Sequence, residues 1–498
     1  MRKTLLLAAL LCTTALQAQA DSLRVGLESD PDALDPDRSR TFVGRIVFTA
    51  LCDKLFDITP DLEIIPQLAT DFTTSDDGLT VTMTLREGVA FHDGTPFNAD
   101  AVKANIERSQ TLDESVRKSE LTSIASVDVI DDLTVQLNLN KPDAPLVAQL
   151  ADRSGMMMAP SAFDGDFAAN PVCSGPFQFV SRVSQDRIVL EKYEDYWNAD
   201  EIGISGVNYV IIPDSTVRMA NLQSGDIDIA NQLAATDAGT VANTPGLSFE
   251  NVTGLGYQGL TFNLANGDMA NTPLGQDANV RKAFDLAIDR QVISDVVFDG
   301  LFMPASQPFT PSSPYFNPDY PVVERDVEAA RALLAEAGVD LPIRVQLQVP
   351  NTPDTLQLVQ VIQAMVSEVG FEVEIVAKEF ATLISDAGAG DFSISQQGWS
   401  GRVDPDGNIH QFVTTGAGFN DGRYSNAEVD ELLNAGRVTN DPAQRVELYQ
   451  QAAAIYSEDR PLIYLYHLGW LYGLSDNVQG LTLYPDGMLR LEGVSLTE

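Results

Sequence analysis

Histidine and cysteine are scarce in this chain of 498 residues, which contains three of each. The histidines, His92, His410 and His467, stand at no spacing typical of a zinc site, so no His-rich metal centre is predicted. A Gly-x-Ser-x-Gly elbow, a phosphate-binding loop and a dinucleotide-binding fingerprint are missing from the sequence as well. We therefore expect no metal, no cofactor and no enzymatic activity.

Basic side chains are also few, with 31 Lys and Arg against 71 Asp and Glu and a formal net charge of −40. Such a charge repels nucleic acid and anionic membranes, so we expect a freely diffusing, soluble protein that binds no nucleic acid. Hydrophobic residues make up 44% and charged residues 20%, which is typical of a globular chain. The length favours two or three lobes over a single one.

Long apolar runs are missing as well, and the N-terminal one is short. Residues 1–20 combine a cationic start, Met1-Arg2-Lys3, with an apolar run from Leu5 to Leu11 that cannot span a bilayer. Ala18-Gln19-Ala20 has the small-x-small pattern that signal peptidase cuts. We predict a signal peptide cleaved after Ala20 and export to the periplasm.

Removal of that leader takes away Cys12 and leaves Cys52 and Cys173. In an oxidising compartment, two remaining cysteines favour a single disulfide. The alternative is a pair of buried free thiols.

The order of strand and helix patterns predicts an α/β protein with two lobes of different texture. In the first half, alternating apolar and polar residues predict strands, rich in antiparallel hairpins. In the second half, helices and strands alternate, which predicts a βαβ lobe with a mainly parallel sheet. The predicted strands are Leu79–Leu85, Leu133–Leu139, Arg187–Tyr193, Ile343–Val349 and Phe371–Val376, and the predicted helices are one capped by Asn279, Asp326–Ala337 and Asp354–Val369.

The segment from Gly398 to Gly407 is the clearest candidate binding loop. It sets Trp399 beside Arg402 in a turn rich in glycine and proline. An indole offers a flat stacking surface, and a guanidinium offers a planar charged fork with several donors. The alternative is an ordinary surface turn in which Arg402 pairs with Asp404 or Asp406.

Five stretches in this order resemble one known family, the solute-binding proteins of peptide- and nickel-type ABC importers, which include dipeptide- and oligopeptide-binding proteins. They are Phe91–Val102, Asn170–Phe177, Tyr196-Trp197-Asn198, Leu222–Asp228 and Val280–Arg290. The resemblance implies an α/β, two-lobe periplasmic binding protein clamp with an additional subdomain in the first lobe. It also implies a monomer that encloses a small solute and delivers it to an ABC permease in the inner membrane.

Within that resemblance, we expect the first lobe to comprise residues 21–262 and 475–498, with the subdomain at about 53–172. The second lobe is expected to comprise residues 263–474. The expected ligand-binding residues are Trp399, Arg402, Asp404, Asn408, Tyr257, Gln258 and His467.

The sequence departs from the dipeptide binders at the position that holds the peptide ammonium. Those proteins carry an aspartate three residues after the loop tryptophan, whereas this chain has Arg402. They also carry an arginine for the peptide carboxylate, and the matching stretch from Val349 to Asp354 has none. A like charge about 4 Å away, at an effective dielectric near 20, costs roughly 4 kcal/mol, or about three decades in affinity.

Arg402 therefore favours a solute with an anionic group, such as a peptide-like or opine-like molecule or an acidic sugar conjugate. Three alternatives stay open. The protein could be a true dipeptide or oligopeptide carrier in which Asp404 holds the amine. It could be a secreted carboxylate-dependent hydrolase, or it could also present its ligand to a membrane chemoreceptor.

Overall fold

The computed structural model describes residues 22–497, so the signal peptide predicted for residues 1–20 lies outside the described residues. The strands are β1 Ser22–Leu27, β2 Phe56–Ile58, β3 Ile64–Pro66, β4 Ala69–Thr74, β5 Thr80–Leu85, β6 Ile124–Asp131, β7 Thr134–Leu139, β8 Phe177–Val183, β9 Arg187–Lys192, β10 Gly206–Ile211, β11 Ile229–Asn231, β12 Leu247–Thr253, β13 Tyr257–Phe262, β14 Met303–Pro304, β15 Ile343–Pro350, β16 Phe371–Lys378, β17 Ile394–Trp399, β18 Leu462–His467, β19 Gly469–Ser475, β20 Val478–Gln479 and β21 Ser495–Leu496. The helices are α1 Phe42–Leu51, α2 Ala99–Thr111, α3 Leu146–Gln149, α4 Ser215–Ser224, α5 Ala238–Ala242, α6 Pro273–Gln276, α7 Ala278–Leu286, α8 Arg290–Phe298, α9 Val327–Ala337, α10 Pro353–Ser367, α11 Phe380–Ala389, α12 Asp406–Val413, α13 Ala427–Val438 and α14 Pro442–Asp459.

Two large sheets organise the described part of the chain into two lobes. The sheet of the first lobe has the strand order β12-β19-β11-β1-β10-β9-β8, and that of the second lobe has the order β14-β18-β13-β17-β15-β16. In the second lobe, β15 pairs in parallel with β16 and β17, as helix–strand alternation predicts. In the first lobe, β9 runs antiparallel to both β8 and β10. The predicted α/β two-lobe architecture is confirmed.

The chain passes between the two sheets twice, at residues 254–256 and at Leu468. The two connections lie together, because the His467 Nδ1 atom is 2.9 Å from the carbonyl oxygen of Gly256. A side chain at Gly256 would place its Cβ 1.9 Å from the carbonyl oxygen of Trp399, so only glycine fits there. The division at 262/263 and 474/475 stays a prediction for the lobes; by sheet membership, β13 belongs to the second sheet and β19 to the first.

The additional subdomain of the first lobe is built on the sheet β4-β5-β7-β6, which packs with α2 around its own apolar core. A disulfide between Cys52 and Cys173 closes the stretch that contains this subdomain; the two Cα atoms lie 4.9 Å apart, and the sequence separation is 121 residues. The predicted disulfide is therefore present.

Local signals place most of the second-lobe helices. The Asp326 side chain accepts a hydrogen bond from the Ala329 amide and starts α9, which ends at Gly338 in the left-handed conformation (φ 65°). The expected cap at Asn279 is wrong by two residues. Asp277 caps α7 instead, because its carboxylate accepts the Asn279 amide at 2.8 Å and so makes Asn279 part of the first turn.

A buried ionic cluster fixes the C-terminal segment to the subdomain. The Asp57 Oδ1 atom on β2 lies 2.7 Å from Lys54 Nζ and 2.7 Å from Arg490 Nη2, and Arg490 also binds Asp486. Burial alone would raise the pKa of Asp57, but the charges of Lys54 and Arg490 outweigh it and lower the pKa to about 2.

We expect this cluster to make the protein sensitive to acid. The pKa of Asp57 in the folded protein is below its value of about 3.9 in the unfolded chain. The ionised carboxylate therefore makes its full contribution to the free energy of unfolding above about pH 4, and this contribution is lost as the pH falls towards 2. Asp57→Asn should therefore lower the free energy of unfolding at neutral pH. Below about pH 4, the dependence of that free energy on pH should also become weaker, by the equivalent of up to roughly one proton taken up on unfolding. Urea unfolding over this range measures both; the exposed Asp61→Asn is the control, and an unchanged slope in Asp57→Asn would contradict the assignment.

Candidate functional site

The loop that follows β17 is held against the first connection between the sheets. Gly401 has a left-handed backbone (φ 85°), and a Cβ there would lie 2.4 Å from the backbone of Leu255. Any other residue would push the loop away from the connection. Trp399 and Arg402 are thus fixed at the edge of the second sheet that faces the first lobe.

Asn408 on α12 closes this loop with both ends of its amide. Its Oδ1 atom accepts hydrogen bonds from Trp399 Nε1 at 3.1 Å and from the Arg402 amide at 2.7 Å. Its Nδ2 atom donates to the Arg402 carbonyl at 2.7 Å. Because Asn408 is buried and both its amide oxygen and its amide nitrogen bind within the loop, it acts in the structure as a residue that positions Trp399 and Arg402.

The guanidinium of Arg402 stacks on the indole of Trp399, with its Cζ atom 4.5 Å from the ring centre. Its Nη1 atom donates to the Gly401 carbonyl at 2.7 Å, and 23% of the side chain remains exposed. Burial and the nearby charge of Arg45 lower the pKa of Arg402 to about 10, which leaves it cationic at neutral pH. The predicted pairing of an indole with a charged fork is present.

Aromatic side chains extend from the indole into the second lobe. The ring centres of Phe412 and Phe419 lie 5.2 and 5.7 Å from that of Trp399, and Tyr257 contacts Phe412 at 6.1 Å. Phe419 is 47% exposed, so it offers an apolar surface beside the loop. This arrangement suits a ring or an apolar portion of a bound molecule.

Three arginines of the first lobe face Arg402, and the sequence analysis did not find them. Arg45 lies on α1, Arg117 follows α2, and Arg153 follows α3; each is more than 90% buried. Their guanidinium groups have few salt-bridge or hydrogen-bond partners. Arg45 binds Asp152, Arg117 Nη1 binds Glu120 at 2.6 Å, and Arg153 Nη1 donates to the Ser39 carbonyl at 3.0 Å.

Asp152 joins the two lobes. Its carboxylate accepts Arg45 Nε at 3.1 Å and Arg45 Nη2 at 3.0 Å, and its Oδ2 atom lies 3.5 Å from Arg402 Nε across the lobe boundary. A second contact between the lobes is the Ala144 amide, which donates to the Arg437 carbonyl at 2.8 Å. The two lobes therefore meet around the arginines.

Positive charge is in excess at this place, in a chain whose net charge is −40. Four guanidinium groups, those of Arg45, Arg117, Arg153 and Arg402, face two carboxylates, those of Asp152 and Glu120, which leaves a surplus of two positive charges. Three buried donors find no hydrogen-bond partner among residues 22–497: Arg45 Nη1, Arg117 Nε and Arg153 Nε. Buried donors of this kind need an acceptor, and an anion supplies one together with the missing charge.

The other predicted site residues have different surroundings. Both carboxylate oxygens of Asp404 are bound by Arg445, at 2.8 and 2.9 Å. Gln258 accepts a hydrogen bond from Gln396 at 2.7 Å, and the hydroxyl of the buried Tyr257 has no hydrogen-bond partner in the part of the chain that the structure describes. His467 is buried beside a cavity of about 780 Å³ in the second lobe, and burial lowers its pKa.

One of the missed arginines carried a signal in the sequence. Arg45 is the only charged residue of α1, whose other buried positions are apolar or glycine, and a lone charge on an apolar helix indicates a buried ionic contact. Arg153 begins a one-turn 3₁₀ helix, Arg153–Gly155, and Arg117 directly precedes another, Lys118–Glu120; elements this short carry no periodic pattern that would single out either arginine.

Within residues 22–497, no helix is long and apolar enough to cross a membrane. The same residues contain no group of three or more His, Cys, Asp or Glu side chains placed to hold a metal ion.

Two lobes joined by two connections, with aromatic side chains and unneutralised arginines where they meet, define a solute-binding clamp. Comparison with known protein families shows to which family this clamp belongs. Residues 63–420 match the family described as bacterial extracellular solute-binding proteins, family 5 Middle. The chain belongs to this family of solute-binding proteins and is the substrate-binding component of an ABC importer.

Similar proteins extend over nearly the whole chain. The glutathione-binding protein GsiB of Salmonella typhi is 29% identical over 482 residues, which covers 94% of this chain and 93% of that protein. The structure of AgaA from A. tumefaciens R10 in complex with agropinic acid is 27% identical, with a TM-score of 0.82, and covers 96% of this chain and 99% of that one. The structure of the ABC transporter substrate-binding protein CtaP from Listeria monocytogenes is 24% identical, covers 96% of this chain and 99% of that one, and shares the fold with a TM-score of 0.86.

Proposed function

We propose that the protein captures a small organic solute with an anionic group and delivers it to an ABC permease in the inner membrane. The observation that carries this proposal is the surplus of positive charge where the lobes meet, with Arg402 on one side and Arg45, Arg117 and Arg153 on the other. Hydrogen bonds to a charged group contribute about 1.5–3 kcal/mol each, enough for a few such bonds to select an anion over a neutral analogue.

The relatives support the same class of solute. GsiB is named for glutathione, and AgaA is bound to agropinic acid. Both compounds carry carboxylate groups, and they are respectively peptide-like and opine-like. In this proposal the indole of Trp399 and the exposed ring of Phe419 contact the apolar or ring portion of the solute.

The protein is exported and released from its leader after Ala20. The mature protein then acts as a monomer in the periplasm and catalyses no reaction. Residues 254–256 and Leu468, where the chain passes between the sheets, serve as the hinge about which the lobes open to admit solute.

Loss of the Arg402 charge is expected to weaken solute binding by roughly 10- to 100-fold, since one charge-assisted contact is removed. A thermal-shift screen of acidic dipeptides, opines and sugar acids identifies a solute, and calorimetry then compares wild type with Arg402→Gln. Arg344→Gln is the matched control, because Arg344 is exposed on β15 and binds Glu372.

Equal affinity of wild type and Arg402→Gln would overturn the role of Arg402. A carrier that holds a peptide amine at Asp404 predicts a different outcome, namely stabilisation by free dipeptides and not by amino-blocked ones. The bidentate contact between Asp404 and Arg445 counts against that alternative, because the carboxylate already has a cationic partner. Turnover of the bound solute would indicate a hydrolase.

A further inference from the structure

The arginines where the lobes meet differ in how completely their charges are neutralised. Arg117 is paired with Glu120 at 2.6 Å. Arg45 holds Asp152 with two contacts, at 3.0 and 3.1 Å. These two pairs use both carboxylates of the cluster.

Arg153 and Arg402 are left without a carboxylate of their own. The guanidinium of Arg153 donates to a neutral acceptor, the Ser39 carbonyl, while its Nε atom has no partner and the residue is only 4% exposed. Arg402 reaches the carboxylate of Asp152 only at 3.5 Å, and its Nη1 atom donates to neutral oxygens. A single carboxylate that is already bound twice by Arg45 cannot neutralise a further two arginines.

The two residual charges belong to different lobes but lie close together. The charge of Arg402 is close enough to the guanidinium of Arg153 to affect its pKa. Both residues also contact the same carboxylate, because the Arg153 amide donates to Asp152 Oδ1 at 2.8 Å and Arg402 Nε lies 3.5 Å from Asp152 Oδ2. Burial lowers the pKa of Arg153, and the charges of Arg117, Arg45 and Arg402 lower it further. Two cations held this close repel each other, and negative charge placed between them would relieve this repulsion.

We propose that the solute carries two anionic groups, one bound by Arg153 of the first lobe and one bound by Arg402 of the second. This inference rests on the proposed function and narrows it from anionic solutes to dianionic ones. A dianion neutralises both residual charges and bridges the lobes, whereas a monoanion leaves one of the two buried cations uncompensated.

The experiment uses matched probes that differ by one charge at nearly constant shape. Succinate, glutarate and adipate are titrated by calorimetry into the mature protein, each beside its monoamide. We expect at least one diacid to bind about 10- to 100-fold more tightly than its monoamide, because one charge-assisted contact is lost. Arg153→Gln and Arg402→Gln should each abolish this difference, and the exposed Arg187→Gln should retain it.

The possible failures separate the two proposals. If the monoamides bind as tightly as the diacids and Arg402→Gln weakens both, the solute needs one anionic group and the dianion inference is overturned while the proposed function stands. If no probe binds saturably at millimolar concentration, or if neither arginine variant alters binding, the arginine cluster is not the solute site and both are overturned. Near-ultraviolet circular dichroism of both variants verifies that they are folded.

Discussion

Asp152→Asn is expected to lower the free energy of unfolding by about 3–5 kcal/mol, because it removes the carboxylate that pairs with the buried Arg45. Burial alone would raise the pKa of Asp152, but Arg45, Arg402 and Arg153 outweigh it and hold the pKa far below its usual range. The carboxylate is therefore ionised in the folded protein at any ordinary pH, and its loss leaves three guanidinium groups facing one another.

Urea unfolding of the wild type, Asp152→Asn and the double variant Arg45→Met/Asp152→Leu tests this prediction. Replacing a whole buried ion pair by apolar side chains is often close to neutral, so the double variant should recover most of the lost stability. Asp186→Asn, which breaks the exposed pair with Arg187, is the control and should change little. If Asp152→Asn lowered the free energy of unfolding as little as the control does, Asp152 would not compensate a buried charge.

Loss of the disulfide between Cys52 and Cys173 should cost about 4–5 kcal/mol, since the bond closes a loop of 121 residues and so limits the unfolded chain. Both sulfur atoms lie in the apolar core of the first lobe, where serine would also bury a hydroxyl. For this reason the double alanine variant, Cys52→Ala/Cys173→Ala, is the better test.

Chemical unfolding of the wild type in oxidised and reduced form and of the double alanine variant measures this contribution. The reduced protein and the variant should agree to within about 1 kcal/mol if loop closure dominates. If the oxidised and reduced wild type unfold at the same denaturant concentration, the cross-link contributes nothing through the unfolded state.

Much of the architecture could be predicted because it rests on local patterns. Alternating side chains gave β5 and β7 within one residue, and Asp326 and Gly338 gave both ends of α9. The binding loop could also be found locally, since Trp399, Arg402 and Asn408 lie within ten residues of one another and the structure joins them by hydrogen bonds.

The first-lobe half of the site could not be predicted in this way. Arg45, Arg117 and Arg153 come from three separate segments, and the contact between Arg45 and Asp152 joins residues 107 positions apart in the sequence. A similar long-range contact explains Asp404, whose partner Arg445 lies 41 residues further along the chain on α14. Charge pairing between distant segments has no periodicity, so it becomes visible only in the folded structure.

The central claim is that an anionic part of the solute lies between Arg402 and the arginines of the first lobe. A crystal structure of the protein with its co-purified or identified solute tests this most directly. The account predicts solute oxygen atoms within hydrogen-bond distance, about 2.7–3.2 Å, of the guanidinium groups of Arg402 and Arg153. A solute whose amine or uncharged end faces Arg402, or one bound away from these arginines, would contradict it.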